Sequence, residues 1–194
     1  MSEPLRRVGR ARTAEGAEIV WTVADGGRGR RWRSRLMDGD RFTEGLLLEV
    51  AADGRITRLE LTTAVGLLTL HPDRAGERLH GNVAGPGGMR HLDLEWGAQH
   101  VLLVMGSPIV AAAAVRSRSD VGVGEEARLH PAVVVGSDLT PRVVSARIER
   151  RGETTWTVAV DGREERIEVD PRGIPQFGSD ADEWALERPG ETKR

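Results

Sequence analysis

His91, Asp93 and Glu95 alternate with Leu92, Leu94 and Trp96, so a strand over Arg90–Trp96 displays the three polar groups on one face and the three apolar ones on the other. An imidazole beside carboxylates is suited to metal ligation or to general acid/base work. At a rise of ~3.3 Å per residue, His91 and Glu95 stand about 13 Å apart, too far to share one ion. At most two of the three could ligate, with His80, His100 or His130 as the missing partner. Acid/base work by Asp93 with His91 would need a pocket around them, and a solvated outer strand face is the plainer expectation. The other concentrated chemistry is cationic: Arg28, Arg30, Arg31, Arg33 and Arg35 surround Trp32. These could meet phosphates, but the alternation directs Trp32 inward and the odd-numbered arginines outward, as on an ordinary outer face. The chain has no Gly-x-Ser-x-Gly elbow, P-loop or dinucleotide fingerprint, and no cysteine to serve as nucleophile, metal ligand or disulfide. Binding is therefore expected before catalysis. The enzymatic alternative is a hydrolase using His91 and Asp93.

The elements that position these residues are organised around the run Val101–Val115, the most apolar stretch of the chain. It divides at Gly106-Ser107-Pro108, where a serine suited to N-capping and a proline suited to the first helical position predict a short, alanine-rich helix. Fifteen apolar residues, split by a helix start, fall short of the ~20 that cross a bilayer. Around this centre the pattern is β. Ile19/Trp21/Val23, Trp32/Ser34/Leu36, Phe42/Leu46/Leu48/Val50, Leu59/Leu61 and Leu68/Leu70 share strand parity, and Asp25-Gly26, Asp38-Gly39 and Asp53-Gly54 mark tight turns between them. That punctuation predicts an antiparallel meander. Further strands follow over Ala127–Val135, Val144–Ile148, Trp156–Val160 and Ile167–Val169, with turns at Asp161-Gly162 and Asp170-Pro171-Arg172-Gly173. Residues 1–16 read as a flexible N-terminal arm, 17–187 as a single β-roll domain and 188–194 as a flexible tail.

A length of 194 residues, with 39% hydrophobic residues, suits one sizeable core. A formal charge of −2 argues against nucleic acid as a partner of the whole surface. The first ten residues lack the apolar core of a secretory leader, so a cytoplasmic location is expected. No motif calls for a cofactor or a metal, and oligomeric state is not encoded in any visible pattern.

Three stretches carry a family likeness. Gly88-Met89-Arg90-His91-Leu92-Asp93-Leu94 resembles a strand of the form Gly, apolar, x, Asp, Val, Asp, Leu; Ser107-Pro108-Ile109 falls where a Leu-Pro-Ile opens a helix; and Val169-Asp170-Pro171-Arg172-Gly173-Ile174-Pro175-Gln176-Phe177 resembles a closing Val-Asp-x-x-Gly-Leu-Val-x-x-Tyr, one residue shorter before the aromatic. In these, over about residues 17 to 187, the chain resembles the glycolipid-binding family of bacterial proteins. The resemblance implies a spiral β-roll, a many-stranded sheet wound around one helix, similar to the lipoprotein carriers of the bacterial envelope. Val104-Met105 and Val110-Ala111 stand where that family has Thr-Asn and a pair of arginines.

The expected fold is therefore all-β with one central helix, a strongly curled antiparallel sheet wrapped around a short α-helix that starts near Ser107. Such a sheet makes a concavity, and burying an acyl chain at about 0.8 kcal/mol per methylene makes a lipid-like or glycolipid-like amphipathic molecule the expected, non-catalytic ligand. Strand parity nominates Trp21, Leu48, Leu61, Leu94, Trp96, Ile109, Trp156 and Val158 as the lining. The alternative is a protein-interaction module whose interior is filled by its own side chains.

Overall fold

In a computed structural model the described residues are 6–13, 16–98, 100–176 and 182–185. Antiparallel neighbours run in chain order through β1 (Arg6–Arg12), β2 (Glu18–Gly26), β3 (Gly29–Asp38), β4 (Arg41–Val50), β5 (Ile56–Thr63), β6 (Gly66–Pro72), β7 (Arg78–Gly85) and β8 (Gly88–Glu95). A late strand, β14 (Asp182–Ala185), adds to β1 and completes nine strands in one sheet. The second sheet has the order β13 (Arg163–Glu168), β12 (Thr155–Val160), β11 (Pro141–Arg150), β10 (Glu126–Val135) and β9 (Val101–Val104). The helix α1 (Pro108–Arg116) connects β9 to β10.

The turn residues place the meander as expected. Asp38 pairs with Arg41 around Gly39-Asp40, and Asp161 and Gly162 both adopt positive φ, 49° and 77°, the mirror-image turn that suits the strands' twist. Two turns are displaced toward the C-terminus: the second by one residue, to Gly39-Asp40, and the first by two, since Gly26 pairs with Gly29, the loop is Gly27-Arg28 and Asp25 lies within the strand ladder. Six strands laid flat would separate β2 from β7 by ~24 Å. Instead Trp21 of β2, Leu48 of β4, Leu61 of β5 and Leu79 of β7 pack into one core cluster. The large sheet is strongly curled into a half-barrel around that cluster.

What fills the half-barrel is the β9–α1–β10 unit. β9 and β10 are parallel, Ala132 to Val135 opposite Val101 to Val104, and all eight residues are buried. This is the one parallel pair between named strands, and it adds to the antiparallel scheme read from the sequence. Parallel strands joined by a helix are covered on both faces and so read as unbroken apolar runs instead of alternating ones. Leu102, Val104, Val133 and Val135 face the half-barrel, while Val101, Leu103, Ala132 and Val134 face a second cluster with Trp156, Val158 and Ile167.

Helix α1 begins after Ser107, as the sequence predicts, with Pro108 in its first turn and the Val110 N–H directed at the Ser107 hydroxyl. Ile109 and Val110 belong to the half-barrel core, and Ala111, Ala112, Ala114 and Val115 to the second cluster. A helix buried on nearly every side needs no polar face, which is why its sequence is apolar up to its last residue, the exposed Arg116.

The N-terminal segment corrects an expectation. Residues 6–12 form β1, paired over seven residues with β2, instead of a loose arm. Its inward positions include Gly9 and Ala11, too small to register as a hydrophobic stripe. The tail assigned to 188–194 lies outside the described residues.

Candidate functional site

Strand parity sent the nominated residues inward, but most of that interior is occupied. Trp21, Leu48, Leu61 and Ile109 are at most 2% exposed in the half-barrel core, and Val158 packs in the second cluster. Leu94 is half-buried against the first of these. None of these six lines any of the three cavities described below; the β9–α1–β10 unit takes the space a guest would have used. Trp156 and Trp96 do reach cavities, at one end of the roll.

The largest is an open cleft of about 910 Å³ where the two sheets meet the C-terminal end of α1. Its first wall comes from the half-barrel: Asp25, Arg30 and Trp32 of the β2–β3 hairpin, and the β4–β5 turn from Val50 to Gly54. Its second comes from the smaller sheet, with Arg150, Trp156 and the Val169–Gly173 turn. Ala113, Val115 and Arg116 of the helix form the floor.

Each sheet supplies one guanidinium held near an indole. The Arg30 guanidinium lies 6.0 Å from the centre of the Trp32 ring, and that of Arg150 lies 5.2 Å from Trp156. Arg30 shares the parity of Trp32 and so points inward, while Arg31, Arg33 and Arg35 are exposed on the outer face. Its Nε and Nη2 donate to the two carboxylate oxygens of Asp25, at 2.6 and 2.9 Å. Its Nη1 donates to the carbonyl of Arg172 at 2.6 Å, and Arg116 Nη1 donates to the same oxygen at 2.8 Å.

The turn that presents this carbonyl is built for the purpose. The Asp170 carboxylate accepts from Arg172 Nε at 2.6 Å and from the Ile174 N–H at 2.8 Å, fixing the loop. Gly173 takes φ +78°, and a Cβ there would stand 2.3 Å from Arg116 Nη1 and 3.0 Å from Arg30 Nη1. Only glycine leaves room for both guanidiniums. Arg150 donates to three backbone carbonyls, those of Val121, Gly152 and Glu153, tying the loop after the helix to the smaller sheet. Arg116 is exposed at the cleft, but partial desolvation of its guanidinium lowers its pKa, and the adjacent Arg30 charge lowers it further, against partial relief from Asp25 and Asp170. It remains a cation.

A second cavity, about 410 Å³, lies between the β4–β5 turn, the Pro72–Gly76 loop and the loop entering β9. Trp96 and His100 line it with ring centres 5.3 Å apart, and both His100 ring nitrogens are buried without a hydrogen-bond partner among the described residues. A third, about 320 Å³, sits at the opposite rim beside Phe42 and Arg41.

His91, Asp93 and Glu95 are exposed on the outer face of β8 and line none of these cavities. Asp93 accepts from Arg78 Nε at 2.8 Å and lies 3.4 Å from His80 Nδ1. The hydrogen bond from Arg78 holds its carboxyl below the usual carboxylate range, a direction that opposes service as an acid. Among the described residues no group of three His, Asp or Glu side chains is placed to hold a metal ion. The side chain of His130 lies outside the described residues. No helix among them is long and apolar enough to cross a membrane.

No family model matches this chain, and no curated protein matches it. Among solved structures the chain is similar to a DUF1089-family protein from Pseudomonas aeruginosa, with a TM-score of 0.50 at 16% identity, over 100% of this chain and 95% of that one. At that identity the likeness concerns the fold: a mostly β chain whose curled sheet encloses one helix.

Arg116 and Arg150, which complete the cleft, carry no signal in the sequence pattern. Arg30 does carry one, since the even-numbered positions of its strand from Arg30 to Leu36 turn inward.

Proposed function

We propose that this protein binds, without chemical change, an amphipathic, lipid-like small molecule in the cleft between the two sheets at the C-terminal end of α1. The observation that carries the reading is the pairing, within one cleft of about 910 Å³, of guanidinium groups with indole and aliphatic surface from Trp32, Trp156, Val50 and Val115. That volume lies within the ~300–1,000 Å³ usual for small-molecule sites, and the mixture of surfaces suits a molecule with a polar head and an apolar body. The resemblance to the glycolipid-binding family points to the same class of ligand. The half-barrel interior contributes rigidity to this reading and not ligand space.

The test is native mass spectrometry of the purified protein, paired with titration of a fluorescent fatty-acid analogue after lipid removal. A co-purifying lipid, or saturable binding weakened by Trp156→Ala, is the expected result. A clean apo mass with no saturable binding overturns it.

The packed core favours a second reading, an interaction module that uses only its surface. It predicts that no amphiphile binds and that Trp156→Ala affects stability alone.

A further inference from the structure

Arg116 is unlike the other arginines of the cleft in having capacity to spare. Arg30 spends three N–H groups on Asp25 and the Arg172 carbonyl, and Arg150 spends three on backbone carbonyls. Among the described residues, Arg116 makes a single hydrogen bond from its five donors, to the Arg172 carbonyl, and no ion pair. A cation in the last turn of a helix is ordinary, because it opposes the negative end of the helix dipole. The dipole does not explain why a second guanidinium is brought to the same carbonyl oxygen.

Two like charges sharing one acceptor in a half-enclosed site repel, and here the repulsion is not locally cancelled. The carboxylates that act on Arg116 are Asp25 and Asp170, and each is already bound by another arginine, Arg30 and Arg172 respectively. Asp53 on the rim is held by Arg55 at 2.7 Å. Glu153 also lines the cleft, and its backbone carbonyl accepts from Arg150. The arrangement leaves a guanidinium with open donors, a cationic neighbour held rigid by Asp25, and a glycine turn that keeps the approach clear. An oxyanion meets all three conditions.

We infer that Arg116, supported by Arg30, is the seat of an anionic headgroup, a carboxylate or a phosphate monoester, on the amphiphile whose apolar part lies along the cleft. This rests on the cleft being the ligand site and adds the class of head it selects. The headgroup's oxygens take the open N–H groups of Arg116, and the second positive charge of Arg30 stabilises the anion without a direct bond being required.

The experiment compares lauric acid, lauryl phosphate and lauryl alcohol, which share one tail, as competitors of a fluorescent fatty-acid analogue, with inorganic phosphate alone as a fourth arm. The expected result is that the acid and the phosphate bind about tenfold or more tighter than the alcohol at low salt, a preference that shrinks as ionic strength rises. Arg116→Gln brings the acid-to-alcohol ratio close to one, and Arg116→Lys restores part of it. Equal affinity for acid and alcohol in the unmutated protein overturns the headgroup assignment while leaving the cleft as a lipid site. Binding of neither removes both readings. Inorganic phosphate binding as tightly as lauryl phosphate overturns the assignment in favour of a free anion. The comparison of the three ligands on the unmutated protein decides the matter even if Arg116→Gln fails to fold.

Discussion

The carbonyl of Arg172 receives two guanidiniums only because the next residue is glycine. Gly173 combines a left-handed φ of +78° with van der Waals crowding from Arg116 and Arg30, so Gly173→Ala is penalised twice. The backbone strain alone costs roughly 1 kcal/mol, and the clash displaces the guanidiniums in addition. The expected outcome is a melting temperature lowered by a few degrees together with weaker amphiphile binding, read by calorimetry and titration. Unchanged binding would mean that the turn does not position Arg116. A second residue-level prediction concerns Glu44, which shares inward parity with Leu46 and Leu48 near the rim of the half-barrel. Burial raises its carboxyl pKa above the ordinary 4.5. A carboxyl whose folded pKa is raised costs stability while charged, and that cost disappears as pH falls through the folded value toward the unfolded one. Glu44→Gln therefore stabilises the protein at neutral pH and loses its advantage below about pH 4.5. Melting curves of both proteins across that range check the sign. At this scale the sequence is partly legible: Arg30 shares the parity of Trp32, and Glu44 that of Leu46 and Leu48, but parity cannot tell which inward side chains meet a cleft and which meet another side chain.

Among the elements, α1 sets the shape of everything around it. Its Ala111, Ala112 and Ala114 are at most 4% exposed, so the helix can lie close to β9 and β13 of the smaller sheet only because each presents a methyl. Ala112→Leu inserts volume at a position that is 1% exposed and lines none of the three cavities, and is expected to cost about 1–3 kcal/mol, measured by denaturant unfolding. In the strand beneath it, Leu102→Ala removes a side chain with no exposure at all and is expected to cost about 2–5 kcal/mol. The start of this helix was written plainly in Ser107-Pro108, because capping chemistry is local. The pairing of β9 with β10 was not. Two short apolar runs, 101–104 and 132–135, lie nearly thirty residues apart, and nothing in either of them states that they run parallel. The cue is the failure of alternation in both, which only a doubly covered pair permits.

For the molecule as a whole, the sheet's extent decides how far the core is closed. β1 stands between β14 and β2 and covers the edge that β2 would otherwise expose, with Gly9 opposite Trp21 and Ala11 opposite Ile19. Ala11 is 3% exposed and Trp21 2%, so the segment seals the rim of the half-barrel as well as pairing its backbone. Its sequence, Arg-Arg-Val-Gly-Arg-Ala-Arg, hides this because the two buried positions, Gly9 and Ala11, carry small side chains, while Arg6, Arg10 and Arg12 on the other face are exposed. Removing residues 1–12 separates the two views of the segment. A loose arm could be cut away without consequence. A strand in the sheet cannot: its loss unpairs one side of β2, opens Ile19 and Trp21 to water and frees β14 from its partner. Burial of part of an indole and an isoleucine is worth at least about 2 kcal/mol, which for a chain of this size lowers the melting temperature by roughly 4–8 °C. An exposed β2 edge also provides a template for intermolecular pairing, so the truncated protein is expected to aggregate at concentrations the full chain tolerates. Light scattering and calorimetry on the two chains measure both effects, and equal melting temperatures with equal scattering would show that β1 does not hold the rim closed. The cleft lies at the other end of the β2–β3 hairpin from the Ala11–Ile19 contact, beside Asp25 and Arg30. Amphiphile binding by the truncated chain should therefore weaken only as far as β2 loosens, and less than it does on mutation of Arg116.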